Sequence, residues 1–107
     1  MSTYGVSLIK LTAHGDEVAE MLVHECSGFD KEIGLPGWHV GESMEYHRVH
    51  TLIDRGDKVY VLVEAGPGEF RHTDLLRNKP GQMGYVESYN PDTGARTDAL
   101  MKLPQFS

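Results

Sequence analysis

The chain has few of the residues that cross-link small folds, span membranes or bind phosphate backbones. It contains one cysteine, Cys26, so no internal disulfide can form, and this count suits a reducing compartment. No apolar run approaches the ~20 residues that a bilayer span requires. The N-terminus also lacks the basic and apolar regions of a secretory signal. We therefore expect a soluble, cytoplasmic protein that does not enter a membrane.

Positive charge is scarce as well. Ten Lys and Arg residues stand against sixteen Asp and Glu residues, which gives a formal net charge of -6 with His neutral. Broad contact with nucleic acid needs cations that displace condensed counterions, so this balance disfavours a nucleic-acid partner. The acids are scattered rather than grouped, which indicates solubility more than a basic partner surface.

The most readable stretch of the chain spans residues 43–65. Apolar side chains recur there at helical intervals: Tyr46, Val49, Leu52 and Ile53. This pattern predicts a helix over 43–55, with Ser43 as its N-cap and Gly56 as the left-handed residue that ends it. The next residues are β-branched and aromatic, and the apolar run from Val59 to Val63 predicts a central strand buried on both faces.

Shorter patterns predict further strands around this unit. Residues 4–12 alternate as a first strand, and turns at 66–68 and 78–81 separate strands over 69–76 and 83–89. The tail is predicted to form a short helical turn that docks three apolar side chains and stops at Pro104: Leu100, Leu103 and Phe106.

Two segments give less decisive signals. Residues 17–26 favour a helix slightly by propensity, but their alternation also fits a strand that returns from a turn at His14 and Gly15. Residues 27–41 carry so many glycines that an irregular loop is predicted, with Trp38 tucked towards the core. Together the patterns predict one α+β domain over 1–107. Its mostly antiparallel sheet has about four to five strands and is packed by the helix over 43–55.

Histidine is the one enriched reactive residue type, with six copies. His47 and His50 lie three positions apart on the predicted helix, on the side away from its apolar stripe. Both rings would project from one surface and could chelate a divalent transition metal, with His39 as a third nitrogen ligand and Glu42 or Asp54 as an oxygen ligand. The simpler interpretation is a solvated polar helix face without a cofactor.

No catalytic set is recognisable. His24 and Cys26 have the residue types of a base and a nucleophile, but nothing in the pattern indicates a stabilised thiolate, and Cys26 fits a small core residue. The segment GPGEF lacks the ending of a phosphate-binding loop and lies between predicted strands.

Two segments resemble a known family. They are the helix-to-strand segment HRVHTLIDRGDKVYVLV and the ending TDALMKLPQF. In these features the chain is similar to the small bacterial proteins of domain-of-unknown-function family 3892. The shared positions are Ile53, Gly56, Asp98, Leu100, Leu103, Pro104 and Phe106. Ala99 stands where Asn is commoner, and residues 27–41 have no counterpart. The resemblance implies a fold, with no activity and no catalytic residue, and it favours a strand over 17–26.

These features favour a non-enzymatic protein-interaction module. Its partner would bind the loop around Trp38 and His39, or an exposed sheet edge. The alternative is a divalent-metal-binding protein or metal-dependent enzyme that uses His47, His50 and His39.

Overall fold

Eight strands and one helix form the part of the chain that the structure, a computed structural model, describes: residues 3–15, 17–29, 36–38, 41–66, 69–81 and 85–105. In chain order the elements are β1 (Thr3–Leu11), β2 (Val18–Phe29), β3 (Pro36–Trp38), β4 (Glu42–Glu45), α1 (Tyr46–Asp54), β5 (Lys58–Gly66), β6 (Glu69–Asn78), β7 (Val86–Tyr89) and β8 (Arg96–Thr97). The α+β class is confirmed. The expected sheet of about four to five strands was too small, because three further short strands form: β3 in the predicted loop, β4 at the start of the predicted helix and β8 before the tail.

One sheet contains all of these strands. Seven follow the order β3-β2-β1-β5-β6-β7-β8, and β4 lies beside β3 along the same edge of β2. Among the described strands, β1 and β5 form the one parallel pair, Thr3–Val6 against Lys58–Val61. Because parallel neighbours need a crossover, the chain passes through α1 before it enters β5.

Helix α1 begins later than the sequence predicted. Residues 42–45 are extended because they pair with β2, with Ser43 opposite Leu22, so the assignment of Ser43 as the N-cap was wrong. Glu45 occupies the N-cap without a side-chain hydrogen bond. Val49, on the inner face of the helix, is fully buried, and Tyr46 stacks on Tyr85 with 4.4 Å between ring centroids. The helix is thus positioned by the strand before it and by packing, rather than by a capping side chain.

The predicted helix end is confirmed. Gly56 has φ 96°, its N–H donates to the Ile53 carbonyl, and the Asp57 N–H donates to the Leu52 carbonyl, each at 3.0 Å. These two bonds form a Schellman motif, which needs a left-handed residue at its centre. The buried Asp57 carboxylate accepts hydrogen bonds from Arg55 Nε at 3.0 Å and Nη2 at 2.6 Å. Hydrogen bonding and charge attraction from Asp57 together raise the pKa of Arg55.

The slight preference for a helix over 17–26 was wrong, because β2 covers most of this segment. Successive side chains of β2 point to opposite faces of the sheet. Met21 and Val23 face the core, and Leu22 and His24 lie on the other face. Pairing with β1 therefore overrides the helical propensity of the segment. The predicted irregular loop was also partly wrong. Strand β2 continues to Phe29 and pairs there with β3 through a bulge that accommodates the extra backbone residue.

The centre of the sheet is buried largely as expected. Val59 and Val61 are fully buried and Leu62 nearly so. Val63 was predicted to be buried but is 46% exposed, because β5 no longer pairs with β1 beyond Val61. The tail forms the predicted helical turn, with Leu100 and Leu103 buried, while Phe106 lies outside the described residues.

The two valines make a matched pair for a stability test. Val61→Ala should lower the free energy of unfolding by about 2–3 kcal/mol, because it removes two buried methyl groups and leaves a cavity. Val63→Ala should change it by less than about 0.5 kcal/mol. Urea denaturation monitored by circular dichroism measures both. Equal losses in the two variants would contradict the burial assigned to β5.

Candidate functional site

A cleft opens where β1 and β5 part. Their pairing ends at Val6 and Val61, and further along β1 the tail takes the place of β5. The Ile9 N–H donates to the Pro104 carbonyl at 3.0 Å, and Ile9 forms a parallel bridge with Gln105. The hairpins β1–β2 and β5–β6 become the two walls, and the tail becomes the floor.

The cleft has the size and lining of a binding site. Its volume is about 630 Å³, within the range that ligand pockets occupy. Most of the lining surface is apolar, and seven apolar residues contribute to it: Leu8, Leu22, Val63, Phe70, Ala99, Leu103 and Pro104. Six polar residues complete the lining: Ser7, His24, Glu64, Thr73, Asp74 and Lys102. This combination of apolar walls and a few polar groups is what orients a bound molecule.

A β-bulge places Ser7 in the first wall. Val6 pairs with Val23 and Leu8 pairs with Leu22, so β1 carries one residue more than β2 at this point. A bulge changes the direction in which its side chains point. Ser7 and Leu8 consequently line the cleft together, on the same side as Leu22 and His24.

Ser7 and His24 form a buried hydrogen-bonded pair across the two strands. The distance from Ser7 Oγ to His24 Nε2 is 2.6 Å, and each residue is only 7% exposed. The imidazole lies against the Phe70 ring at 5.3 Å, and a Cβ at position 41 would lie 2.8 Å from its Cε1. Gly41 therefore allows the backbone to approach the ring closely. The ring orientation is held by packing as well as by the serine hydroxyl.

The second wall also contains a bulge. Tyr60 pairs with Leu75 and Leu62 with His72, so here β6 carries the additional residue. Next to this bulge, the Asp74 carboxylate accepts a hydrogen bond from Thr97 Oγ1 at 2.6 Å. Further along the wall Glu64 and Phe70 are directly opposite in the register. Each wall thus contains a bulge and at least one polar group that faces the cleft.

On the side that faces the cleft, residues 62–66 of β5 pair with no described strand. Beyond Val61, the backbone pairs recorded for β5 within the described ranges are all with β6. Val63 and Glu64 on this stretch are exposed. An exposed strand edge carries backbone donors and acceptors that another extended chain can pair with.

The structure brings one predicted pair of metal ligands together, because His50 contacts Asp54. His47 Nε2 lies 3.3 Å from Glu45, and His50 Nδ1 lies 3.2 Å from Asp54. The two imidazoles therefore face different carboxylates, and His39 lies outside the described residues. No group of three or more His, Cys, Asp or Glu suited to a metal occurs among the described residues.

The predicted partner-binding residues are described only in part. The backbone of Trp38 belongs to β3 and pairs with Cys26, whereas the Trp38 side chain and the whole of His39 fall outside the description. The interaction predicted for this segment therefore stays a prediction.

Sequence reasoning missed Ser7 and considered His24 only together with Cys26, a pair that it did not favour. If the chain turns back over residues 12–17, each residue of β1 lies opposite a residue of β2 such that the two residue numbers add up to 29 or 30. Ser7 is then expected opposite Val23 or Leu22. The hairpin could therefore have been predicted from the sequence, whereas no residue pattern indicates the bulge that turns Ser7 towards His24. The Ser–His contact also has the length of a nucleophile and its base. In the wall of the cleft this hydrogen bond joins β1 to β2.

Comparisons with known proteins found no similar protein. No family model matches the chain, and neither the curated proteins nor the solved structures yield a significant match. Within the described residues, α1 is the one helix, and it is too short and too polar to cross a membrane.

The Ser7–His24 pair should contribute measurably to stability. Ser7→Ala removes the hydroxyl that bonds a buried imidazole nitrogen, and we expect a loss of about 1–3 kcal/mol in the free energy of unfolding. Ser43→Ala is the matched control, because Ser43 is exposed on β4. Denaturant unfolding compares the variants, and an unchanged Ser7→Ala protein would mean that the bond carries no net energy.

Proposed function

We propose that this chain is a non-enzymatic protein-interaction module that takes an extended segment of a partner polypeptide into the cleft. The observation that carries the proposal is the edge of β5 over residues 62–66, which pairs with no described strand and runs along a cleft whose lining surface is mainly apolar. An extended segment that adds to such an edge gains main-chain hydrogen bonds from the strand and specificity from the side-chain pockets beside it.

The chain's own tail supports this mode of binding. The tail pairs with β1 at one point, where Gln105 forms a parallel bridge to Ile9 and the Ile9 N–H donates to the Pro104 carbonyl. Leu103, next to Pro104, is buried beside that bridge. The same combination of strand pairing and an apolar anchor would hold a partner segment against β5 on the opposite wall.

The apolar side chains provide the second requirement. Leu22 and Phe70 stand on opposite walls, and Leu103 lies on the floor between them. A partner side chain inserted there would leave water and gain roughly 25 cal/mol for each Å² of apolar surface buried. Backbone pairing alone does not select a sequence, whereas a side-chain pocket does.

Two exposed apolar residues allow a controlled test. Val63 (46% exposed) lines the cleft, while Met101 (38% exposed) lies outside it. Peptides selected from a displayed random library should bind the unmodified protein. Val63→Asp should weaken them by tenfold or more, roughly 1.4 kcal/mol, because a charge would be buried beneath the segment. Fluorescence polarisation with labelled synthetic peptides measures the affinities.

Met101→Asp places the same charge on a comparable exposed residue and should leave the affinities unchanged. N-methylation of alternate peptide amides should also weaken binding, since it removes main-chain donors. If no selected peptide distinguishes Val63→Asp from Met101→Asp, the cleft is not the binding site.

The metal-binding alternative stays a prediction based on His47, His50 and His39. Under this alternative, protein purified without an affinity tag contains stoichiometric metal, and added zinc, nickel or manganese raises its melting temperature. The double variant His47→Ala/His50→Ala should abolish both effects, and His14→Ala, in an exposed turn, should preserve them. Metal-free protein without a thermal shift would exclude the alternative.

A further inference from the structure

One corner of the cleft combines an exposed carboxylate with an aromatic ring. Glu64 on β5 and Phe70 on β6 are paired directly in the antiparallel register, and both line the cleft. Directly opposed residues in such a pair have Cβ atoms about 4.5–5.5 Å apart. A group that enters this corner from the cleft therefore meets the carboxylate and the ring together.

The charge of this corner is not balanced within the described part of the chain. No ion pair there involves Glu64, and no Lys or Arg lies over the Phe70 ring, which contacts the His24 imidazole at 5.3 Å between ring centroids. The cationic side chain on the cleft floor, Lys102, contacts Asp98 at 3.3 Å. The chain as a whole carries a formal charge of -6. A bound segment with a cation at this corner would gain both local and long-range attraction.

Resting on the binding function proposed above, we infer that Glu64 and Phe70 form a subsite for an arginine side chain of the partner segment. A guanidinium is planar, so it stacks on an aromatic face while its N–H groups donate to a carboxylate. Lysine presents a compact, strongly hydrated ammonium that cannot make both contacts in the same way. The partner is therefore an extended segment with apolar residues around one arginine.

Two peptides that differ in charge but not in shape test this subsite. The probes are fluorescein-labelled Val-Thr-Val-Arg-Val-Leu-amide and the same peptide with citrulline, the neutral isostere, in place of arginine. The arginine peptide should bind at least about tenfold more tightly, because a charge-assisted contact replaces a neutral one. Added salt should reduce this difference.

Variants at the corner then assign the effect to particular side chains. Glu64→Gln should weaken the arginine peptide by about tenfold and leave the citrulline peptide within about twofold, which is the coupling that a double-mutant cycle measures. Phe70→Leu should weaken the arginine peptide by a smaller factor, since it keeps apolar bulk but removes the ring. Glu25→Gln makes the same change at an exposed strand position outside the cleft and should alter neither affinity.

The outcomes separate the subsite from the binding function. If both peptides bind equally and Val63→Asp weakens both, the arginine subsite is overturned and the interaction module stands. If neither peptide binds at about 1 mM and the library yields no ligand, both proposals fail. Thermal unfolding of each variant shows whether it is folded, and the citrulline comparison on the unmodified protein needs no variant at all.

Discussion

The short parallel contact between β1 and β5 is the constraint on which the rest of this structure depends. It joins two antiparallel hairpins into one sheet, and it extends over only four residues of each strand. A parallel contact requires the chain to cross over the sheet, which places α1 on one face and buries Val49 there. Leu62 packs so closely on Gly5 that a Cβ at position 5 would lie 2.5 Å from its Cγ. The join therefore depends on a glycine in β1.

The candidate site follows from the place where this contact ends. Once β1 and β5 separate, each hairpin bends through its own bulge, at Ser7 in β1 and opposite Val61 in β6. Bulges increase local twist and redirect side chains. The cleft is therefore made by the two strand irregularities together with the inserted tail. Binding sites often arise at such interruptions, because regular pairing would have satisfied the backbone groups that a ligand can use.

Much of the local structure was predictable because neighbouring residues determine it. The Gly56 helix end depends on one left-handed residue and on hydrogen bonds to the preceding turn, so its signal lies within a few positions. The burial of Val59 and Val61 follows from a run of β-branched residues. The prediction failed where a distant partner decides the conformation. Residues 18–25 are extended because β1 pairs with them, and Ser43 is extended because Leu22 lies opposite it.

By itself, the sequence determined the α+β class, the end of the helix, the core of β5 and the negative net charge. Only the tertiary structure decided that Ser7 meets His24, that Val63 is exposed and that Glu64 and Phe70 share a corner. The physical reason is that strand register and bulges are set by the summed packing and hydrogen bonding of whole hairpins. A shift of one residue leaves local composition unchanged but turns every affected side chain to the other face of the sheet.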